Sequence, residues 1–70
     1  MMTLSAGMRV ALQAVFELGP AGFAQLEVEL PMCERIAASH LKRLQRHGLV
    51  EYAQGLYSIT EEGKERLVNG

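Results

Sequence analysis

The sequence has few features of proteins that function outside a reducing compartment. Cys33 is its only cysteine, so a framework of disulfides within the chain is excluded. No apolar run approaches the length of a membrane span. The first residues also lack the cationic flank and apolar core of a signal peptide. We therefore expect a cytoplasmic protein that makes no membrane contact.

The sequence also lacks the positive net charge that most nucleic-acid binders carry. Seven Lys and Arg residues face eight acidic residues, for a net charge of −1. Four of the cations nevertheless fall within a single twelve-residue window, at Arg35, Lys42, Arg43 and Arg46. This clustering is either the ordinary solvated face of a helix or a directional footprint for an anionic partner.

The stretch from residue 33 to residue 50 organises the rest of the chain. Ala37, Leu41 and Leu44 recur at i, i+4 and i+7, which places one apolar stripe along a helix. The cations fall mainly on the opposite side. Gly48 stands where a left-handed C-terminal cap is usually needed. The pattern predicts a helix over residues 33–47 with one dry face and one cationic face.

Two helical segments precede this stretch. The first is expected to begin at a Ser5 cap, to end at Gly19-Pro20, and to bury an apolar stripe of Met8, Ala11, Leu12, Val15 and Phe16. Residues 21–23 would then form a one- or two-residue strand. Residues 25–30 alternate like a strand but also satisfy helical spacing, and we interpret them as a short helix.

A hairpin and a last helix follow. Residues 49–53 and 56–59 read as strands joined by a two-residue turn at Gln54-Gly55, which would pair Tyr52 with Tyr57. Thr60 can cap a final helix whose Leu67 and Val68 are expected to pack inward.

Three segments in this order resemble the MarR-type winged-helix repressors: HLKRL at 40–44, GLV at 48–50 and YSITEEG at 57–63. The resemblance implies an α+β winged helix-turn-helix domain, with three helices, a two-stranded wing hairpin and a short C-terminal helix. We expect residues 1–70 to form one domain, with a core at about residues 8–68. Pro31 departs from the family, where a Gly often stands in the turn, so an atypical turn is expected.

The resemblance implies a small transcriptional regulator that binds double-stranded DNA in a sequence-specific way. An enzyme is not expected, because the sequence shows no Ser-His-Asp order, glycine-rich phosphate loop or paired carboxylate in an apolar pocket. Helix 33–47 would enter the major groove. Arg35, Ile36 and Ser39 would face base edges, while Lys42, Arg43 and Arg46 would hold phosphates. His40 borders the apolar stripe and is expected either to pack beside Leu44 or to contact a phosphate. The wing itself carries no Lys or Arg.

The alternative is a winged-helix module that binds a protein partner and no nucleic acid. The acidic balance, the bare wing, and Glu27 and Glu29 on the second helix favour it. No metal or cofactor is expected, because Cys33, His40 and His47 lie seven residues apart, about 10.5 Å along a helix. Cys33 is either an oxidant sensor or a small half-buried residue at a helix start, and the second is the simpler reading.

A homodimer is expected, although MarR-type repressors dimerise through long helices outside the winged-helix core and this sequence has none. A single recognition helix offers few base contacts, and two-fold pairing would double them. The candidate surfaces are residues 1–4, the outer wing face around Leu56, and Leu67-Val68.

Overall fold

Four helices and one antiparallel hairpin make up the part of the chain that the structure, a computed structural model, describes, residues 4–69. In chain order the elements are α1 (Ala6–Leu18), α2 (Phe23–Glu29), α3 (Glu34–Arg46), β1 (Val50–Ala53), β2 (Leu56–Ile59) and α4 (Glu61–Asn69). The predicted α+β class is confirmed, and the order of elements is consistent with a small winged-helix-like fold.

Helix α1 begins as predicted and buries a slightly different face. The Ser5 hydroxyl accepts a hydrogen bond from the Met8 N–H at 3.2 Å, which caps the first turn. The expected burial of Phe16 is wrong, since this side chain is 49% exposed, and Ala14 is buried instead. Residues 14 and 16 flank Val15 at about 100° on either side. The small Ala14 is on the side that lies beside Leu30.

The connector after α1 joins the hairpin, and α2 is helical. Ala21 donates to the Tyr57 carbonyl at 3.0 Å and accepts from the Tyr57 N–H at 2.8 Å, confirming the short strand. Leu26 is fully buried, while Val28 is 80% exposed. Helix α2 stops before Leu30, whose backbone is extended at φ −92° and ψ 132°. The following Pro31 disfavours helical backbone at this residue.

Helix α3 supplies the centre of the core. Ala37, Leu41 and Leu44 are all fully buried, as their spacing predicts, and pack in one cluster with residues of α1 and α2. The helix starts after Cys33 and ends before His47, within a residue of the predicted bounds. Gly48 adopts φ +76°, the left-handed conformation that a glycine tolerates without strain.

The hairpin has the predicted register. Val50 pairs with Ile59, and Tyr52 pairs with Tyr57, whose rings lie 4.6 Å apart between centroids. Both turn residues, Gln54 and Gly55, have positive φ, as a type I′ turn requires. Burial, and secondarily the neighbouring Tyr52, raises the pKa of the Tyr57 phenol above its usual value of 10.0.

Thr60 and Gly63 hold helix α4 against the segment before the hairpin, at Gly48 and Leu49. The Thr60 hydroxyl donates to the Gly48 carbonyl at 2.7 Å and accepts from the Gly63 N–H at 3.0 Å. Gly63 is buried, and a Cβ atom there would overlap the Leu49 carbonyl oxygen. Of the two residues expected to pack inward, Leu67 is partly buried against the core, but Val68 is 83% exposed. The inward prediction for Val68 is therefore wrong, because it lies about 100° around the helix from Leu67.

Candidate nucleic-acid interface

The outer face of α3 carries a continuous cationic row. Its members share the spacing i, i+4, i+7 and i+11 and are all exposed: Arg35, Ser39, Lys42 and Arg46. At 1.5 Å per residue, the row extends about 16 Å along the helix axis. It lies opposite the buried stripe of Ala37, Leu41 and Leu44. We call the row, together with the neighbouring Arg43, the cationic face.

A second row runs beside the first, nearer to α1. Ile36, His40 and Arg43 follow the spacing i, i+4 and i+7. Ile36 is 43% exposed, and Arg43 is also exposed. All seven residues predicted for DNA binding therefore lie on α3, and six of them are open to solvent.

His40 differs from the other six because it is half-buried against α1. A Cβ atom on Gly7 would lie 2.5 Å from the His40 Nε2 atom, so the imidazole lies directly over the Gly7 backbone. The Nδ1 atom is buried, and no hydrogen-bond partner is found for it among residues 4–69. His40 thus helps to set the distance between α1 and α3. Sequence reasoning missed Gly7, although glycine inside a helix is a known sign of close approach.

The charges of the cationic face are not neutralised within the described residues. Arg35, Lys42, Arg43 and Arg46 make no ion pair and no side-chain hydrogen bond with any residue between 4 and 69. By contrast, Lys64 on α4 lies 3.3 Å from the Glu61 carboxylate. Four unpaired cations on one helix produce a local positive potential on a chain whose net charge is −1.

Cys33 is the residue immediately before the first turn of α3. Cys33 is exposed, which contradicts the expected half-buried position, and its thiol makes no capping hydrogen bond. Within residues 4–69, no three His, Cys, Asp or Glu side chains are grouped so as to hold an ion. Glu34 lies in the first turn, where its carboxylate suits the helix dipole.

A second surface lies where α1 meets the end of α2. A groove of about 410 Å³ opens there, which we call the α1–α2 groove. Its lining comprises Arg9, Val10, Gln13, Ala14, Glu17, Leu18, Glu29 and Leu30. Sequence reasoning missed this surface. The signal was a second apolar line in α1, since Val10, Ala14 and Leu18 recur every four residues.

Solved structures share this fold at low sequence identity. The activation domain of the phage T4 transcription factor MotA has a TM-score of 0.88 at 20% identity, over 96% of this chain and 72% of that one. A Listeria innocua protein of unknown function has a TM-score of 0.86 at 13% identity, over 93% of this chain. The chain spans about half, 49%, of that Listeria protein. Identities this low show the fold alone.

No protein-family model and no curated protein sequence matches this chain. Among the helices formed by residues 4–69, none has the length and apolar character needed to cross a membrane.

Proposed function

We propose that the protein binds double-stranded DNA in a sequence-specific way, as a small transcriptional regulator, with α3 in the major groove. One observation carries the proposal: the cationic face is exposed, continuous and unpaired within the described residues. Clustered Lys and Arg side chains that have no carboxylate partner bind the phosphate backbone of a nucleic acid. A face used only for solvation would be expected to alternate charges of both signs.

The residues of α3 divide into two roles. Arg35, Ile36 and Ser39 lie in its first half and would contact base edges, since Arg pairs with guanine and Ile fits a thymine methyl group. Lys42, Arg43 and Arg46 lie in the second half and would hold phosphates, which fixes the register of the helix. His40, at the edge of this face, would act mainly by holding α3 against α1.

Two further considerations support a role in transcription. The sequence segments resemble MarR-type repressors, which are winged-helix regulators. Independently, the fold is shared with the activation domain of a phage transcription factor. The hairpin would be the wing, although its strands and turn carry no Lys or Arg and would add little to phosphate binding.

A homodimer would supply the second recognition helix that specific binding usually requires. Leu4 is not an available surface, because it is 8% exposed and belongs to the core. Residues 1–3 lie outside the described residues. The remaining apolar candidates are Leu56, 42% exposed, and Val68, 83% exposed. Sedimentation equilibrium at micromolar protein would test dimerisation, and a monomer that binds a palindrome with a Hill slope of one would contradict it.

The second candidate function is a protein-interaction module that binds no nucleic acid. The neighbouring MotA structure is named as an activation domain, which favours contacts with other proteins. The outward side of α2 carries exposed Val28 and Glu29, and a carboxylate is unsuited to the helix that would cross a phosphate backbone.

Titration of a fluorescent random duplex at several salt concentrations separates the two functions. Three phosphate contacts per protomer, from Lys42, Arg43 and Arg46, predict a log–log slope of about −2.7. Lys42→Ala should flatten this slope by about one unit and leave sequence preference intact, whereas Arg35→Ala should relax preference at one base pair. Lys64→Ala on α4 is the matched control and should leave the slope unchanged. A flat salt response, or no binding at low salt, would contradict DNA binding and favour the protein module.

A further inference from the structure

We infer that the α1–α2 groove is a docking site for a cationic amphipathic helix of a partner protein. The inference does not depend on DNA binding by α3, because the groove shares no residue with the cationic face. It concerns a surface on which Val10 and Leu18 are exposed beside the core residues Ala14 and Leu30.

The shape of the groove fits one side of a helix. Ala14 and Leu30 are each 7% exposed and form its floor, while Val10 and Leu18 are 40% and 36% exposed. Val10 and Leu18 are eight residues apart on α1, about 12 Å along its axis. Apolar anchors at i and i+7 of a docked helix are about 10.5 Å apart. The groove therefore accommodates about two turns of a partner helix.

The charge of the groove specifies the polar side of that partner. Glu17 lies in the last turn of α1 and Glu29 is the last residue of α2, and neither helix has a basic residue in its last turn. A carboxylate near a helix C-terminus opposes the helix dipole, so both negative charges are unfavourably placed in the free protein. Glu17 accepts a hydrogen bond from the Gln13 side chain at 2.8 Å, and this bond leaves its negative charge in place. Arg9 also lines the groove but is already engaged in an interaction within the protein. Lys or Arg residues on a bound helix would offset both unfavourable carboxylates.

A second copy of this chain does not provide the required helix. The apolar stripe of α3 is fully buried in its own core, so the most cationic helix offers Ile36 as its single large exposed anchor. On α4, Val68 is the large apolar residue that is exposed, and one anchor cannot fill a two-turn groove. DNA is also unsuited, because Glu17 and Glu29 would repel its phosphates.

The test uses a synthetic helical peptide of about 15 residues, with Leu at i, i+4, i+7 and i+11 and Lys at most other positions. A matched peptide replaces each Lys with Glu. Both are titrated into ¹⁵N-labelled full-length protein, and amide shifts report where and how tightly each peptide binds. We expect the Lys peptide to shift amides of α1 around Val10 and Leu18 and of α2 around Leu30, and the Glu peptide to bind at least about tenfold more weakly.

The variant for the groove is Val10→Gln combined with Leu18→Gln, and the control is Val68→Gln on α4. Both changes are on exposed side chains, and a wild-type circular dichroism spectrum will confirm that each variant folds. The groove variant should lose about tenfold or more in affinity for the Lys peptide, and the control should lose none. Duplex binding by the groove variant should match the wild type.

Three results would overturn the inference. One is a peptide that shifts amides elsewhere. Another is equal binding of the Lys and Glu peptides. The last is a change in the amide shifts of the groove with protein concentration when no peptide is present. That result would show that a second copy of the chain occupies the groove.

Discussion

The cationic face of α3 and the α1–α2 groove place the same kinds of residue in opposite arrangements. On α3 the apolar stripe of Ala37, Leu41 and Leu44 faces the core, and the opposite, exposed side is cationic. In the α1–α2 groove, apolar side chains remain exposed and the charges at the ends of both helices are acidic. The net charge of −1 averages over these two regions and describes neither of them.

Under the two proposals above, a chain of 70 residues would bind two partners. On α3 the core buries Ala37, Leu41 and Leu44, and Ile36 is the large apolar side chain that this helix exposes. Helix α1 has two apolar lines. One supports the core, and the other, formed by Val10, Ala14 and Leu18, borders the groove. Opposite charges on the two surfaces would keep a nucleic acid and a cationic helix on separate sides.

The largest effect should come from truncating Leu41, because both surfaces are formed by helices that pack on the same core. Leu41 is fully buried in the core beneath the cationic face. Leu41→Ala should lower the free energy of unfolding by about 2–5 kcal/mol, because a cavity remains where the side chain packed. A loss of that size approaches the whole stability of a domain this small. Duplex binding and peptide binding should then fall together.

Urea denaturation followed by circular dichroism measures this loss. Leu56→Ala is the control, since that leucine is 42% exposed on β2 and its truncation should change stability by less than about 0.5 kcal/mol. If Leu41→Ala melted at the same urea concentration as the wild type, the assignment of the buried face of α3 would be wrong.

A smaller effect should come from the two groove carboxylates, whose removal should change the stability of the free protein and its affinity for the peptide in opposite directions. Glu17→Gln combined with Glu29→Gln removes both carboxylates that oppose helix dipoles, so the free protein should gain about 0.3–1 kcal/mol per site. The same variant should bind the Lys peptide about threefold to tenfold more weakly, because exposed ion pairs contribute modestly. Glu65→Gln, exposed on α4, should leave peptide affinity unchanged. Equal peptide affinity for variant and wild type would show that the carboxylates play no part in docking.

The smallest effect should appear at high pH and should involve the hairpin, which belongs to neither surface. The raised pKa of Tyr57 means that the folded state holds the phenolic proton more tightly than the unfolded state. Its contribution to stability is therefore complete below the unfolded pKa of about 10 and is lost as pH rises through the folded pKa. Urea melts between pH 8 and pH 11 should show stability falling above about pH 10, and less steeply in Tyr57→Phe. If stability fell equally steeply with pH in both proteins, ionisation of Tyr57 would not be the cause of the decrease.

Local rules were sufficient for most of the fold. The Ser5 cap, the left-handed Gly48 and the pairing of Tyr52 with Tyr57 each depend on a few neighbouring residues, and each is confirmed. Two of the wrong predictions concern the width of a buried helix face, and a third is the exposed Cys33. Phe16 and Val68 sit at the edges of apolar stripes, where spacing alone cannot say how far a neighbouring element reaches.

The two surfaces differ in how far they could be predicted. The cationic face follows from the stripe of α3, because burial of one side of a helix fixes which side is exposed; its contact with DNA stays a prediction. The groove depends on the distance between α1 and the end of α2, which no single segment encodes. The position of His40 over Gly7 likewise depends on two helices brought together by the core.

The hydroxyl of Thr60 has a consequence for recognising distant relatives. It donates to Gly48 and accepts from Gly63, so it needs a side chain that is both donor and acceptor and short enough to reach both. Serine meets that requirement and valine does not. Gly48 and Gly63 are constrained as well, one by its backbone angle and the other by the Leu49 carbonyl oxygen. The pattern glycine, then threonine or serine twelve residues later, then glycine three residues after that, is a signature that should persist in relatives whose remaining residues have diverged.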